Sequence, residues 1–249
     1  MAYEECTVVG RNAVMEAYRS GKTIDKLFIL DGCQDGPIKS ILREARKRDT
    51  LIKFVSKEKL DSLSFHEKHQ GVVAIAAAYE YATVEDLFKK AEEKGEAPFF
   101  ILCDEIEDPH NLGAILRTAD ASGVDGIIIR KDRSVGLTST VAKLSTGAIE
   151  HVPVACVANL TVAINQLKEA GLWIAGTDAS EAQDYRTLDA SLPLGLVIGS
   201  EGKGMSRLVR EACDFKVYLP MRGHVTSLNA SVAAALLMYE IYNKRNPIK

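Results

Sequence analysis

The chain has 249 residues, of which 47% are hydrophobic and 26% are charged, and its formal net charge at pH 7 is −3. This composition excludes collagen-like, low-complexity and disulfide-scaffold proteins and indicates an ordinary globular protein. No stretch approaches the roughly 20 apolar residues that cross a bilayer, and the first residues lack the basic and apolar regions of an export signal. We therefore expect a cytoplasmic protein with no membrane contact.

Residues 1–79 alternate helical and strand-like patterns, which predicts a small α/β domain. The expected helices and strands cover residues 10–18, 26–30, 38–48, 52–55 and 72–78. This part is the more basic one, and its closely spaced cations are Arg43, Arg46, Lys47 and Arg48. Such a cluster indicates either a solvated helix face or a contact with nucleic acid.

The acidic segment 80–97 is helical in pattern and ends at Gly95 and Pro98, which predicts a connector helix. From residue 98 onward, apolar strands that end in glycine and polar residues alternate with helices. That alternation predicts an α/β fold with a mostly parallel sheet covered on both faces. Ligand sites in such folds gather at the carboxyl ends of the strands.

Five cysteines occur singly, without the C-x-x-C spacing of a redox or zinc motif: Cys6, Cys33, Cys103, Cys156 and Cys213. Neither a disulfide framework nor a metal site is expected from this spacing. We expect buried, reduced thiols, and Cys103 is of interest because it precedes a predicted active-site loop.

Three segments place unusual polar residues at expected strand ends. The first, DEIEDPHNLGAILR (104–117), turns through a proline into a helix that carries Asn111, Gly113 and Arg117. Taken singly, Asn111 could be a helix cap and Arg117 a surface ion-pair partner. A small residue such as Gly113 allows the close approach of a ligand or of another backbone segment.

The second segment is LVIGSEGKGM (196–205). Its glycines, Gly199, Gly202 and Gly204, allow positive φ and could present N–H groups to a ligand, while Glu201 offers a carboxylate. The spacing does not match the phosphate-binding loop of nucleotide hydrolases or the dinucleotide fingerprint. The third segment, LPMRGHVTSLNASVAAA (219–235), leads into an alanine-rich helix; Ser227 could be its N-cap, which would leave the Asn229 amide free.

The three segments, in this order and near these spacings, resemble the signature motifs of the SpoU (TrmH-type) RNA ribose 2′-O-methyltransferases over residues 99–242. In the first domain, GRNAVMEA and HQGVVA resemble the ribosomal-protein-like RNA-binding domain of RlmB-type members, which methylate a guanosine of 23S rRNA. The organisation implied is an RNA substrate-binding domain at 1–79, a connector at 80–97 and a methyltransferase domain at 98–249. The resemblance also implies a trefoil-knotted (SPOUT-type) fold and a homodimer whose active site draws on both subunits.

The resemblance further implies S-adenosyl-L-methionine (AdoMet) as cofactor and no metal. The positions that match the cofactor site are Thr177, Gly199, Gly202, Leu219, Met221, Ser227 and Leu228. The positions that match the catalytic site are Asn111, Arg117, Glu201, Ser227 and Asn229. Because a guanidinium stays protonated at neutral pH, we expect Arg117 to clamp a phosphate or stabilise the developing alkoxide rather than act as a base.

Other functions remain open at this point. A non-catalytic RNA-binding or ribosome-assembly factor would share the fold but would not bind AdoMet. A nucleotide- or NAD-dependent enzyme is disfavoured, because no acidic ribose partner follows the glycine loop at the expected distance. Within the family, a tRNA ribose methyltransferase or an adenosine-specific resistance enzyme would carry the same three segments.

Overall fold

A computed structural model describes residues 7–178 and 182–248 of the chain, so Cys6 lies outside the described residues. The chain forms two compact units. The smaller comprises the residues up to Glu80 together with Gly136–Thr140, and the larger comprises Tyr81–Val135 and the residues from Val141 onward. Within the described part of the chain, no helix is both long enough and apolar enough to cross a membrane.

The smaller unit is a four-stranded sheet with helices on both faces. Its elements are β1 (Thr7–Val9), α1 (Arg11–Arg19), β2 (Ile24–Leu30), α2 (Gly36–Lys47), β3 (Leu51–Val55), α3 (Lys57–Leu63) and β4 (Val72–Ala76). The strand order is β1-β4-β2-β3, with β2 and β3 parallel and the other pairs antiparallel. Helices α1 and α2 bury their apolar residues in one core cluster, and α3 contributes Leu60 to a second cluster that includes Phe28 and Val73.

Helix α2 is amphipathic in the way that its sequence predicts. It buries Ile38, Ile41 and neighbouring apolar residues against the sheet. The basic residues Arg43, Arg46, Lys47 and Arg48 are all exposed. Its N-cap is Asp35, whose carboxylate accepts a hydrogen bond from the Ile38 N–H at 3.1 Å.

The larger unit is built around a seven-stranded sheet in which every pair of neighbouring strands is parallel. Its elements are α4 (Val84–Lys94), β5 (Phe99–Cys103), α5 (Pro109–Ala121), β6 (Gly126–Arg130), α6 (Ser139–Leu144), β7 (Val154–Val157), α7 (Leu160–Glu169), β8 (Trp173–Thr177), β9 (Gln183–Asp184), β10 (Leu194–Ile198), α8 (Arg207–Ala212), β11 (Phe215–Tyr218) and α9 (Ala230–Arg245). The strand order is β7-β6-β5-β10-β8-β11-β9. The prediction of an α/β fold with a mostly parallel sheet is confirmed; the trefoil knot stays a prediction.

This strand order places a topological switch between β5 and β10. From β5 the chain continues to β6 and β7 on one side of the sheet, whereas β10 is followed outward by β8, β11 and β9. A crevice for a ligand is expected at the carboxyl ends of strands on either side of such a switch. The first two polar segments that the sequence singles out follow β5 and β10, on either side of this switch, and the third follows β11, two strands from β10 in the same sheet.

The segment 80–97, predicted as a connector, contains α4. In this helix Leu87 and Ala91 are buried in the same cluster as Phe100 of β5. The approach is so close that a Cβ on Gly126 would lie 2.2 Å from Cγ of Leu87. Helix α4 is therefore a structural part of the larger unit.

Candidate active site

A cavity of about 660 Å³ opens at the carboxyl ends of β8, β10 and β11. Its wall is formed by the glycine loop (residues 199–206) and by the chain that follows β11. All seven positions that the sequence predicts for the cofactor line it: Thr177, Gly199, Gly202, Leu219, Met221, Ser227 and Leu228. Its chemistry is mixed, with apolar side chains such as Ile198 and Leu237 beside hydroxyl and backbone groups.

The glycine loop folds back on itself directly after β10. Ser200 and Gly204 exchange backbone hydrogen bonds of 3.1 and 2.9 Å. A Cβ at Gly199 would lie 2.4 Å from the carbonyl carbon of Gly204, so only glycine fits there. Gly202 and Gly204 have φ of 79° and 68°, which a side chain would disfavour.

Two side chains from neighbouring strands hold this loop. The Thr177 hydroxyl donates to the carbonyl of Val197 at 3.2 Å and accepts from the N–H of Gly199 at 3.4 Å. Asp104, which is fully buried after β5, accepts a hydrogen bond of 2.6 Å from the Ser206 N–H and pairs with Arg130 at 3.3 Å. Asp104 is not among the site residues predicted from the sequence, although an acidic residue directly after a buried strand is a signal that could have found it.

Glu201, on the glycine loop, is the centre of a hydrogen-bond network that joins all three sequence segments. Its Oε1 atom accepts hydrogen bonds from the Nδ2 of Asn111 at 2.9 Å, from the Nδ2 of Asn229 and from the N–H of Ala230 at 3.3 Å. Asn229 Nδ2 also donates to Oδ1 of Asn111 at 2.8 Å. Glu201 and Ala230 line the cavity, so this network lies at its edge.

Asn229 also sets where the last helix begins. Its Oδ1 accepts hydrogen bonds from the backbone N–H groups of Ser231 and Val232 at 3.0 and 3.3 Å, which makes Asn229 the N-cap of α9. The interpretation of Ser227 as the cap is therefore wrong, because α9 begins at Ala230. Ser227 instead lies on the exposed loop that lines the cavity. The amide of Asn229 is nevertheless directed to Asn111 and Glu201.

Arg117 is exposed on α5 and is not part of this network. Within residues 7–178 and 182–248, its side chain has no hydrogen bond or ion pair. Gly113, on the same helix, serves helix packing rather than a ligand, because a Cβ there would lie 2.6 Å from Cβ of Leu144. The structure thus brings Asn111, Glu201 and Asn229 together and leaves Arg117 apart from them.

An ion pair between Asp178 and Arg210 lies on the cavity wall. Asp178 follows β8 and Arg210 belongs to α8. Neither residue of this pair was predicted from the sequence as part of the site. Within the described part of the chain, no cluster of three histidine, cysteine or acidic side chains could hold a metal ion.

The thiols near the site are not activated. Cys103 is fully buried, and burial raises the pKa of its thiol to about 12. Burial, and then the charge of Asp214, raises the pKa of Cys213 to about 12 as well. The Cys213 sulfur lies 4.0 Å from that of Met205, which lines the cavity, and this contact indicates a packing role for Cys213.

Comparison with known proteins agrees with these features. The sequence matches the model of the SpoU rRNA Methylase family over residues 98–239, and that of the RNA 2′-O ribose methyltransferase substrate-binding domain over residues 7–82. A Bacillus subtilis protein assigned to the TrmH family of tRNA/rRNA methyltransferases, YacO, is 56% identical, covering 100% of this chain and 99% of the relative.

Solved structures share the fold of both units. The SpoU methyltransferase AviRb of Streptomyces viridochromogenes, crystallised with AdoMet, aligns with a TM-score of 0.60 at 25% identity, over 96% of this chain and 90% of that chain. An AdoMet-bound rRNA methyltransferase of Sinorhizobium meliloti aligns with a TM-score of 0.61 at 24% identity, over 98% and 88%. These alignments show the fold, and the matches to both family models together with the identity to YacO show that the chain belongs to the SpoU family of RNA 2′-O-ribose methyltransferases.

Proposed function

We propose that this AdoMet-dependent methyltransferase modifies the ribose 2′-OH of a guanosine in 23S rRNA, and that it acts as a homodimer. The observation that carries the catalytic assignment is the network of Asn111, Glu201 and Asn229 at the edge of the cavity. It combines two amides and a carboxylate from three distant parts of the chain, in a place where a ribose could be oriented.

The cavity fits the cofactor chemically. Bound AdoMet supplies an electrophilic methyl group on its sulfonium. Backbone groups of Gly199, Leu219 and Leu228 would hold its adenosine part beside apolar side chains, with the hydroxyls of Thr177 and Ser227 as polar contacts. The charged groups of the wall, which include Asp178 and Arg210, remain for the rest of the cofactor.

The ion pair of Asp178 and Arg210 fits the other end of the cofactor. A carboxylate and a guanidinium side by side complement the ammonium and the carboxylate of an α-amino acid. Both residues line the cavity. We therefore assign the recognition of the methionine part to this pair.

The remaining roles follow from the hydrogen bonds. Glu201 fixes both asparagine amides, so Asn111 and Asn229 orient the ribose hydroxyl rather than move freely. Holding two reactants in line supplies on the order of 7–11 kcal/mol of a barrier at best, which makes orientation the main contribution of these residues. Ser227 completes the pocket from the loop before α9.

The homodimer explains the position of Arg117. Helix α9 exposes one apolar face, formed by Val232, Leu236, Tyr239 and Tyr242, each between 39% and 48% exposed. Their spacing of three or four residues is that of a single helix face, and an apolar stripe of this kind marks an interface. Arg117 lies on α5, which packs against α9. We propose that a second copy covers this face and that Arg117 completes the partner's site as a phosphate clamp or alkoxide stabiliser.

The choice of ribosomal RNA is supported by the family model, which describes rRNA methylases, and by the additional substrate-binding unit at residues 7–82. A tRNA ribose methyltransferase is the alternative, because YacO is assigned to a group that includes both. The test is transfer of radiolabelled methyl groups to unmodified 23S rRNA and tRNA transcripts, followed by mapping of the 2′-O-methyl position. Labelling of tRNA alone would refute the assignment to ribosomal RNA. Labelling of the ribose of a nucleoside other than guanosine would refute the assignment to guanosine.

A further inference from the structure

The segment Ser64–Gly71, which we call the 64–71 loop, joins α3 to β4 in the smaller unit. Four of its residues have left-handed backbone: Phe65 with φ 54°, His66 with 64°, Gln70 with 52° and Gly71 with 83°. Only glycine adopts this conformation readily, and for a bulky aromatic residue it is unfavourable. Strained backbone persists where the surrounding structure imposes it, and it concentrates at ligand-binding segments.

Buried side chains hold the 64–71 loop in this shape. The hydroxyl of Ser64, which is fully buried, lies 3.2 Å from the carbonyl oxygens of both Asp61 and Glu67. The ring of His69, also buried, accepts a hydrogen bond from the Gly71 N–H at 3.0 Å and lies 3.0 Å from the Asp61 carboxylate. With its Nδ1 acting as acceptor, Nε2 donates to Asp61. The loop is therefore pre-organised.

Packing does not explain why Phe65 occupies this loop. Its side chain is 43% exposed, and it belongs to neither of the two hydrophobic clusters of the smaller unit. The neighbouring residues as far as Lys68 are exposed as well. An exposed apolar ring on a strained backbone stabilises the folded unit neither by burial nor by conformation.

We propose that Phe65 is a stacking platform for an unpaired base of the RNA substrate. This inference rests on the proposed function only in requiring an RNA substrate, which the family model of residues 7–82 supports independently. A paired base in an A-form duplex exposes only its edge, whereas an unpaired base offers a face that an aromatic ring can cover.

The charges around the loop fit a nucleotide. His66, Glu67 and Lys68 follow Phe65 with exposed side chains. Arg11 donates from Nε to the carbonyl oxygen of Gln70 at 2.9 Å while its Nη2 pairs with Asp35 at 2.6 Å, so this guanidinium holds the loop in place. The ammonium of Lys68 and the ring of His66 can contact the phosphates on either side of a stacked base. The binding element would recognise a loop or bulge, not a regular helix.

The competing surface in the smaller unit is the basic face of α2. On the side of the sheet that α2 covers, β3 carries a second exposed aromatic ring, Phe54, which is 53% exposed. Ile52 packs into the cluster that contains α2, and because side chains alternate along a strand, Phe54 lies on that same face of the sheet. Phe65 follows α3, which covers the opposite face. Phe54 is thus a matched control for Phe65, because it is also a phenylalanine, is exposed to a similar extent and lies in the same unit.

The experiment compares Phe65→Ala with Phe54→Ala in the full chain, using filter binding of unmodified 23S rRNA transcript. Loss of one base–aromatic stack should raise the Kd of the Phe65 variant by about 5- to 150-fold, while the Phe54 variant stays within about twofold of wild type. In methyl transfer the Phe65 variant should show a raised KM for RNA and a nearly unchanged kcat. An unpaired oligoribonucleotide should compete for binding better than a blunt duplex.

A tryptophan at either position provides a signature that a purely structural role would not give. The chain has a single tryptophan, so Phe65→Trp adds one reporter, whose fluorescence should be quenched by RNA, whereas Phe54→Trp should not respond. Unchanged RNA binding by a folded Phe65→Ala variant would overturn the proposal, and weakened binding by Phe54→Ala alone would assign the contact to the α2 face. Failure of the wild type to bind AdoMet or to methylate RNA would refute the proposed function without affecting this comparison.

Discussion

Replacing Glu201 with glutamine removes one charge from the proposed site while keeping the size of the side chain. The Oε1 atom of Glu201 accepts three hydrogen bonds, from Asn111, Asn229 and the backbone of Ala230. In the variant an oxygen can still accept them, but no longer as a charged acceptor. The perturbation therefore tests whether a charged clamp on the two asparagines is needed, not merely whether the space is filled.

The free energy that this substitution should cost follows from the number of hydrogen bonds to Glu201. A hydrogen bond to a charged group is worth about 1.5–3 kcal/mol and a neutral one about 0.5–1.5, so the three bonds together would lose about 3–4.5 kcal/mol without solvent screening. Glu201 is exposed, and solvent screening reduces this to about 1–2 kcal/mol. If the network acts mainly in the transition state, the rate of methyl transfer should fall by about 5- to 30-fold. Glu201→Ala should fall further, because it leaves the buried amide of Asn111 without its carboxylate acceptor.

The assay is single-turnover transfer of radiolabelled methyl groups from AdoMet to unmodified 23S rRNA transcript. The rate constant should fall more than the affinity for AdoMet, which calorimetry measures separately. Glu169→Gln is the matched control, since Glu169 is an exposed residue at the end of α7, away from the cavity lining. A Glu201→Gln variant with the rate constant of wild type and an unchanged melting temperature would refute the reasoning.

Arg117→Lys should lower the rate constant by about 10-fold or more without changing AdoMet affinity, because lysine lacks the planar fork that a phosphate or alkoxide contact uses; undiminished single-turnover transfer would contradict the role. Leu236→Glu should convert a dimer to a monomer in light scattering and abolish activity, since it places a charge in the exposed face of α9; an active monomer would contradict the shared site. Native alkylation at pH 8 should leave Cys103 and Cys213 unmodified, because burial raises both pKa values to about 12 and the reactive thiolate is scarce. Rapid labelling of either thiol, located by mass spectrometry, would argue against this packing.

The sheet of the larger unit could be predicted because its strands are short buried apolar runs ended by polar residues. The elements that escaped prediction lack such a pattern. Strand β1 has three residues and β9 has two, and α3 has a single buried residue, Leu60, so no periodicity marks it. Their positions depend on neighbouring strands and on the core beneath them, which a local pattern does not contain.

The active site also combines features that local sequence patterns predict with features that depend on the folded chain. Asn111 and Glu201 are 90 positions apart, and no rule of local spacing predicts that their side chains meet. Their grouping was available only through the resemblance of whole segments to a family. The start of α9 was misplaced because both Ser227 and Asn229 are good N-caps, and propensity alone does not choose between them. Asn229 is the N-cap because its side chain is held by contacts with Glu201 and Asn111, and these contacts require the folded chain.

The glycine loop resembles a phosphate-binding loop in composition but uses its backbone differently. In a phosphate loop, successive N–H groups are left free for the ligand. Here the N–H of Gly199 already donates to Thr177, those of Ser200 and Gly204 donate to each other's carbonyl groups, and that of Ser206 donates to Asp104. The prediction that the loop presents N–H groups to a ligand stays a prediction, and these donors would take part only if their hydrogen bonds within the chain opened. With these hydrogen bonds formed, the loop is a pre-shaped wall that places the carboxylate of Glu201 against two amides.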